Sequence, residues 1–394
     1  MNMAPHPGRI LLLFAICVAT LNAQQTSVTR LDGTTIASAQ IDAAVARSMN
    51  AARVTGAGIA IFNRGRVVYL KAYGFRDTAN RLPLTPDSVM TAASLSKSAF
   101  ATMVMTLVHD GRIDLDKPVY EYLPKPLPDY PRYSDLANDA RYKQITMRML
   151  LDHTSGFPNW RFFTEDKKLR IYSTPGSRFA YSGEGIDLAQ MVVETVTGQP
   201  LTDLMNARLF QPLGMTRSSM VWQTRLENDF ADGYDEQGES LGPERRQRPD
   251  AAGGMQTTLR DYARFVQAVL DGAIPGANAR ETMLSPQVRI FSKREFPSLS
   301  TETNAADDRA IHLSYGLGWG LFWTPYGKAF FKEGHDEGWR HYVVCFDKPL
   351  KKERSGILIM TNSSNGEDIY DPLLRTLLGD SFTPLEWESF RPAR

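Results

Sequence analysis

Apolar residues recur at helical spacing between Ser38 and Ala52. Ile41, Ala44, Val45 and Met49 share one face while Gln40, Arg47 and Ser48 fall between them, which predicts an amphipathic helix. The pattern then turns to β. Residues 58–62 and 67–70 are rich in β-formers and flank Asn63-Arg64-Gly65, so they predict an antiparallel hairpin. A second β pair, 342–346 and 356–361, brackets a charged turn at 347–355, and a last helix is expected at about 368–378. Both chain ends then build one antiparallel sheet flanked by helices, an α+β fold. The middle, about 94–310, reads as mostly helical, with polar, poorly periodic stretches at 227–250 and 292–308 that predict surface loops.

The first residues carry another pattern. Arg9 precedes an 11-residue apolar run from Ile10 to Thr20, and Leu21-Asn22-Ala23 follows before the polar Gln24-Gln25. That order predicts a signal peptide over 1–23 and an exported protein, periplasmic or secreted. The run is shorter than the roughly 20 residues that span a bilayer as a helix, so no membrane span is expected. Cys17 follows Ile16 rather than a small residue, which argues against lipidation, and its removal leaves Cys345 alone, without a disulfide partner. Residues 24–394 read as one domain, with a sheet lobe at about 38–93 and 311–394 and a helical lobe at about 94–310; no internal repeat or Pro/Ser-rich linker divides it.

With 45 Lys plus Arg against 44 Asp plus Glu, the chain has no electrostatic reason to hold nucleic acid, and with 42% hydrophobic residues it is not a disordered one. Its chemistry must come from particular residues. Gly238-Glu239-Ser240-Leu241-Gly242 matches a Gly-x-Ser-x-Gly elbow, but that motif needs a buried strand before it and a helix after it, and its neighbours are those of a solvated loop. Ser94-Leu95-Ser96-Lys97 is placed differently. An apolar helical pattern continues from it to Asp110-Gly111, which puts Ser94 at a helix N-terminus and Lys97 on the same face almost one turn later. A serine hydroxyl needs an adjacent base to become a nucleophile, and a lysine serves only if its pKa is lowered.

At these residues the chain resembles the serine β-lactamase and penicillin-binding superfamily, and within it the class C β-lactamase-like branch that also holds esterases and D-amino-acid peptidases. Further blocks look like those of the family and run in order through the chain. They are residues 111–119, 150–158 with Asp152-His153-Thr154-Ser155-Gly156, 175–182 ending in Tyr181-Ser182, Pro212-Leu213-Gly214-Met215, Ala252-Gly253-Gly254-Met255 and Tyr315-Gly316-Leu317-Gly318-Trp319. The resemblance implies a serine β-lactamase-like fold, with the site in a cleft between sheet and helical parts. It implies Ser94 as the acylated serine, Lys97 as its base and Tyr181 as the proton-shuttling phenol of a Tyr-x-Asn motif. The amides of Ser94 and Gly338 would hold the oxyanion.

Two departures stand out. Gly183 occupies the asparagine position, and the third motif, Lys-Thr-Gly in lactamases and often His-x-Gly in the esterase-like branch, is read at Gly334-His335-Asp336-Glu337-Gly338. His335 then takes the place of a lysine, with either a polarising or a structural role. Gly183, Glu184 and Glu337 would border the substrate, which is an ester, a peptide or a β-lactam. Lacking a permanent cation and a side-chain amide, the site is expected to favour short-chain esters over β-lactams. A true class C-type β-lactamase and a non-catalytic penicillin-binding-like protein are the other readings. No cofactor is expected, nor a metal at His335, Asp336, Glu337 and His341, because an extended strand would hold His335 and His341 roughly 20 Å apart. His153 is read as a turn-building residue, and the oligomeric state is left open.

Overall fold

In the computed structural model, Met1 and residues 27–300, 309–348 and 353–390 are described. The expected signal segment with Cys17, and parts of two expected polar segments, lie outside them. The strands are β1 (Ser27–Thr29), β2 (Thr35–Ala37), β3 (Gly56–Asn63), β4 (Arg66–Asp77), β5 (Leu82–Pro83), β6 (Val89–Thr91), β7 (Gly233–Tyr234), β8 (Ser240–Gly242), β9 (Gln256–Thr258), β10 (Val288–Arg289), β11 (Ser314–Tyr315), β12 (Gly320–Thr324), β13 (Gly327–Asp336), β14 (Trp339–Lys348) and β15 (Glu353–Thr361). The longer helices are α1 (Ser38–Ala52), α2 (Leu95–His109), α3 (Met147–Leu151), α4 (Gly183–Thr197), α5 (Leu201–Met205), α6 (Leu259–Asp271) and α7 (Ala277–Met283).

Nine strands form one antiparallel sheet in the order β10-β11-β12-β13-β14-β15-β3-β4-β5. The C-terminal strand β15 pairs with the N-terminal β3, Ile359 opposite Ile59, so the two chain ends meet at the sheet centre. Helices cover both faces there. In β3, Ala60 and Phe62 face the core under α2 and α6, while Ala57, Ile59 and Ile61 face the core under α1 and the helical run 366–378. A strand buried on both sides reads as a continuous apolar run rather than an alternation, as 57–62 does. The α1 helix buries Ile41, Ala44, Val45 and Met49, the face its spacing predicts. Burying Ile41 and Val45 fully stabilises by about 1.5–3 kcal/mol each.

The middle of the chain is less helical than expected. Between α2 and α3 it runs through short 3₁₀ turns from Val119 to Gln144, and two β ribbons interrupt it, β6 with β9 and β7 with β8. Polar side chains set these turns by bonding their own backbone, as Asp139 does to the Arg141 N–H, which local apolar periodicity does not report.

The largest difference lies at 327–348. The sequence places Gly334 to Gly338 on the strand that continues to Tyr342, but the chain reverses at Glu337-Gly338, Gly338 taking φ +79°, and pairs His335 with Arg340 and Gly334 with His341. The two histidines are therefore close across a ladder. Both ring nitrogens of His341 are engaged, Nε2 with the Thr91 carbonyl at 2.7 Å and Nδ1 accepting the Thr361 N–H at 3.2 Å.

Candidate functional site

Helix α2 is apolar on almost every side, which suits its buried position against β13, α5 and α7. Its few polar residues are satisfied by the family-like blocks. Ser98 Oγ donates to the Gly318 carbonyl at 2.7 Å, and Ser96 Oγ accepts the Met255 N–H at 3.0 Å. Lys97, 2% exposed, sends Nζ to the Ala252 carbonyl at 2.6 Å and to Ser94 Oγ at 3.0 Å. Ser94 directly precedes α2, and Ala93 before it holds φ +47°, a left-handed conformation that costs a non-glycine residue about 1–3 kcal/mol. Within the described residues no acceptor meets the Ser94 N–H.

Burial, then the charge of Lys332, pushes the Lys97 pKa down to about 8. A useful fraction of Lys97 is then neutral near pH 7 to 8 and able to accept a proton. Tyr181, 2% exposed, has its phenol beside Ser94, with Lys97 Nζ 5.0 Å from the ring centroid. Burial, then Glu333, raises its pKa well above 10, so the phenol keeps its proton. His153 shapes this segment. It takes φ +61°, accepts the Ser182 N–H on Nδ1 at 3.2 Å, and lies against the Tyr181 ring with centroids 4.4 Å apart.

The second cation is Lys332, which the sequence reading passed over. Its Nζ donates to the Tyr181 hydroxyl at 3.0 Å and pairs with Glu333. Lys332-Glu333-Gly334 is a Lys-x-Gly on β13, three residues before the His335 that the sequence reading puts in the lysine's place. His335 is turned away: it stacks on Phe390 with centroids 6.3 Å apart, and its Nδ1 lies 3.6 Å from Glu367. Burial, then Arg340, pushes its pKa down to about 4, so it is neutral at pH 7. The expected lack of a permanent cation is thereby corrected.

Gly338 does not fit the expected oxyanion role. The Gly338 N–H is buried and donates to Ser364 Oγ at 2.9 Å. Because Asp336 and Trp339 flank a two-residue turn they exchange both backbone hydrogen bonds, and the alternation along the ladder turns the N–H of His335 towards the other edge. That edge is open, since β12 pairs no further along β13 than Phe331.

The expected substrate-bordering residues behave differently from one another. Glu184 is 2% exposed and held by Arg161, Nε to Oε1 and Nη2 to Oε2 both at 2.8 Å, so it is a structural anchor and not a charge that repels substrate. Gly183 leaves room for Trp160, whose ring would come within 2.4 Å of an added Cβ. Its N–H donates to Asn159 Oδ1 at 3.1 Å. A carboxamide thus stands beside the Tyr-x-Gly segment after all, brought from a distant part of the chain by no signal that spacing carries. Glu337 is exposed on the turn at the cleft rim. Ser240 lies on β8, exposed, donating to Asp232.

Ser94, Lys97, Tyr181, Asn159, His335 and Glu337 line one cleft of about 830 Å³, whose other wall is aromatic: Trp160, Phe162, Phe163, Phe296 and Phe390. Phe162 and Phe163 are 57% and 71% exposed, apolar surface of the kind that marks a ligand-binding groove. The site supplies a serine beside a buried amine of lowered pKa, a protonated phenol under a second ammonium, and the backbone N–H groups of Ser94 and His335. Such a set suits acyl transfer through a serine ester.

Comparison with known proteins agrees with this geometry. The sequence profile of the Beta-lactamase family matches residues 41–379. The chain is 31% identical to "Esterase EstB" of Burkholderia gladioli over 217 residues, 48% of this chain and 53% of EstB, so it spans about half the length of that relative. Its fold is similar to the octameric penicillin-binding protein homologue from Pyrococcus abyssi, with TM-score 0.67 and 23% identity over 86% of this chain and 79% of the other. It is also similar to a β-lactamase/D-alanine carboxypeptidase from Pseudomonas syringae, with TM-score 0.68 and 20% identity over 89% and 99%. With the profile covering most of its length, the sheet formed by both chain ends, and Ser94, Lys97 and Tyr181 gathered at the start of a buried helix, the chain belongs to the β-lactamase family of serine hydrolases.

Proposed function

We propose that the protein is an exported hydrolase that cleaves an ester or amide through a covalent acyl-enzyme on Ser94. The observation that carries this reading is the 3.0 Å contact between Ser94 Oγ and Lys97 Nζ, the latter with a pKa pushed down to about 8. Neutral Lys97 takes the Ser94 proton as Oγ bonds to the acyl carbon, and the Ser94 and His335 N–H groups stabilise the oxyanion. The proton then reaches the leaving oxygen or nitrogen through the Tyr181 phenol as the scissile bond breaks. Water repeats the sequence in reverse, breaking the bond to Oγ and returning its proton to Ser94. The name of the EstB relative supports an ester as substrate, and the aromatic wall suits a hydrophobic acyl or leaving group. Export rests on Arg9 and the apolar run after it; no helix among the described residues is long and apolar enough to cross a membrane.

A second reading, hydrolysis of β-lactams or D-amino-acid peptides, is favoured by Asn159, a carboxamide on the cleft wall, and by Lys332, a buried ammonium on the Tyr181 phenol. One experiment tests both. The purified protein is treated with a fluorophosphonate probe and assayed on p-nitrophenyl esters of increasing chain length, a chromogenic cephalosporin and a D-Ala-D-Ala peptide. Labelling of Ser94 with ester turnover is expected. Turnover of the cephalosporin at equal kcat/KM moves the second reading to first place, and absence of labelling favours a binding protein.

A further inference from the structure

Three acidic side chains from separate parts of the chain converge behind the cleft. Glu295 comes from the segment after β10, Glu333 from β13 and Glu388 from the C-terminal segment; one carboxylate oxygen of each lies within 4.8 Å of the other two. They are 1%, 3% and 2% exposed. Buried carboxylates require partners, and only part of that need is met. Lys332 pairs with Glu333, and the Tyr342 hydroxyl donates to Glu388 Oε2 at 2.6 Å. Both oxygens of Glu295 and Oε1 of Glu388 are buried with no hydrogen-bond partner.

We propose that Glu295, Glu333 and Glu388 bind a calcium-sized divalent cation. Charge supports this: even with Lys332 and Lys97 nearby, three carboxylates leave a negative excess that a divalent ion offsets. The donors are all carboxylate oxygens, the ligand type of hard cations such as Ca²⁺, Mg²⁺ and Mn²⁺. Ligand number separates these ions. Three protein carboxylates with oxygens within 4.8 Å of one another suit Ca²⁺, which takes many oxygen ligands at about 2.3–2.6 Å in flexible geometry, whereas Mg²⁺ keeps several waters and is held by one or two carboxylates. Glu333 and Glu388 also line the cleft, which provides a path of entry. The ion would tie the open edge of β13 to the C-terminal segment, beside Lys332 and outside the acyl-transfer step. Protons are the rival means of neutralisation, because burial, then Glu333, raises the pKa of Glu295 well above the usual range, and the same two causes act on Glu388.

The test uses the whole protein, freed of metal with EGTA and titrated with CaCl₂, MgCl₂ or MnCl₂ by calorimetry. Saturable binding of Ca²⁺, tighter than of Mg²⁺ and accompanied by a higher Tm, is expected. Terbium, a calcium-sized lanthanide, should show emission sensitised through Tyr342 that Ca²⁺ displaces. Glu295→Gln and Glu388→Gln keep the shape of the site and should each weaken Ca²⁺ binding by at least about tenfold. Failure of Ca²⁺ to bind, or binding unchanged in both variants, overturns the proposal in favour of protonated carboxyls. Tighter binding of Mg²⁺ overturns the assignment by size. Because binding and Tm are read without substrate, this outcome is independent of the acyl-transfer reading.

Discussion

The Nζ of Lys332 lies 3.0 Å from the phenol oxygen of Tyr181, and Lys97 Nζ lies 5.0 Å from the centroid of the same ring, so two buried ammonium groups flank one phenol. Burial, then the charge of Lys332, pushes the Lys97 pKa down to about 8. The base is thus prepared by a residue that does not itself touch the nucleophile.

Activity should therefore rise with pH as Lys97 loses its proton, with an apparent pKa near 8 in kcat/KM. In Lys332→Met the repulsion is gone, the Lys97 pKa rises, and the profile should shift to higher pH. A pH–rate profile on a neutral ester checks both; an unshifted profile means that burial alone sets the base. The same shift acts on stability. The folded pKa of Lys97 lies below its ordinary 10.5, so the unfolded state binds the proton more tightly and stability should increase as pH rises from about 8 towards 10.5.

Ser94→Ala should abolish turnover and probe labelling with a folded protein remaining, because a small change at a helix start costs little. Ser240→Ala should change neither, since that hydroxyl sits exposed on β8 and bonds Asp232. Mass spectrometry of the labelled peptide decides between them.

Lys97→Ala and Tyr181→Phe should each lower kcat by about 10²–10⁴-fold. Their double variant should be little worse than either, as groups that move one proton act as a unit. Fully additive losses would show separate roles.

Gly183→Asn completes the Tyr-x-Asn pattern, yet it should impair the protein. The new Cβ meets the Trp160 ring at 2.4 Å, an overpacking that costs about 1–3 kcal/mol. Urea unfolding measures the loss, and gained stability or activity would show that Trp160 can leave its place freely.

Trp160→Ala should raise KM for aryl or long-chain esters by about tenfold while sparing acetyl esters, because the aromatic wall contacts only the larger groups. Equal effects on both would place Trp160 in support of the catalytic groups instead.

The chain sequence by itself determined the features that depend on neighbours a turn or two apart. The face of α1 follows from a 3.6-residue period, and the closeness of Ser94 and Lys97 from a three-residue step on α2. The pairing of the two chain ends was legible as well, because two β pairs with apolar faces must share a sheet to bury them. Which residue of the third motif reaches the phenol was decided only by tertiary structure. Lys332 and Tyr181 are 151 residues apart, and residues 332 and 335 point to opposite faces of β13 because side chains alternate along a strand. Spacing cannot tell which face meets the phenol. That depends on where β12 stops pairing, on the turn at Gly338 and on what packs against the open edge. The same holds for Asn159 beside Gly183 and for the meeting of Glu295, Glu333 and Glu388, contacts between segments that no local pattern of apolar and polar residues records.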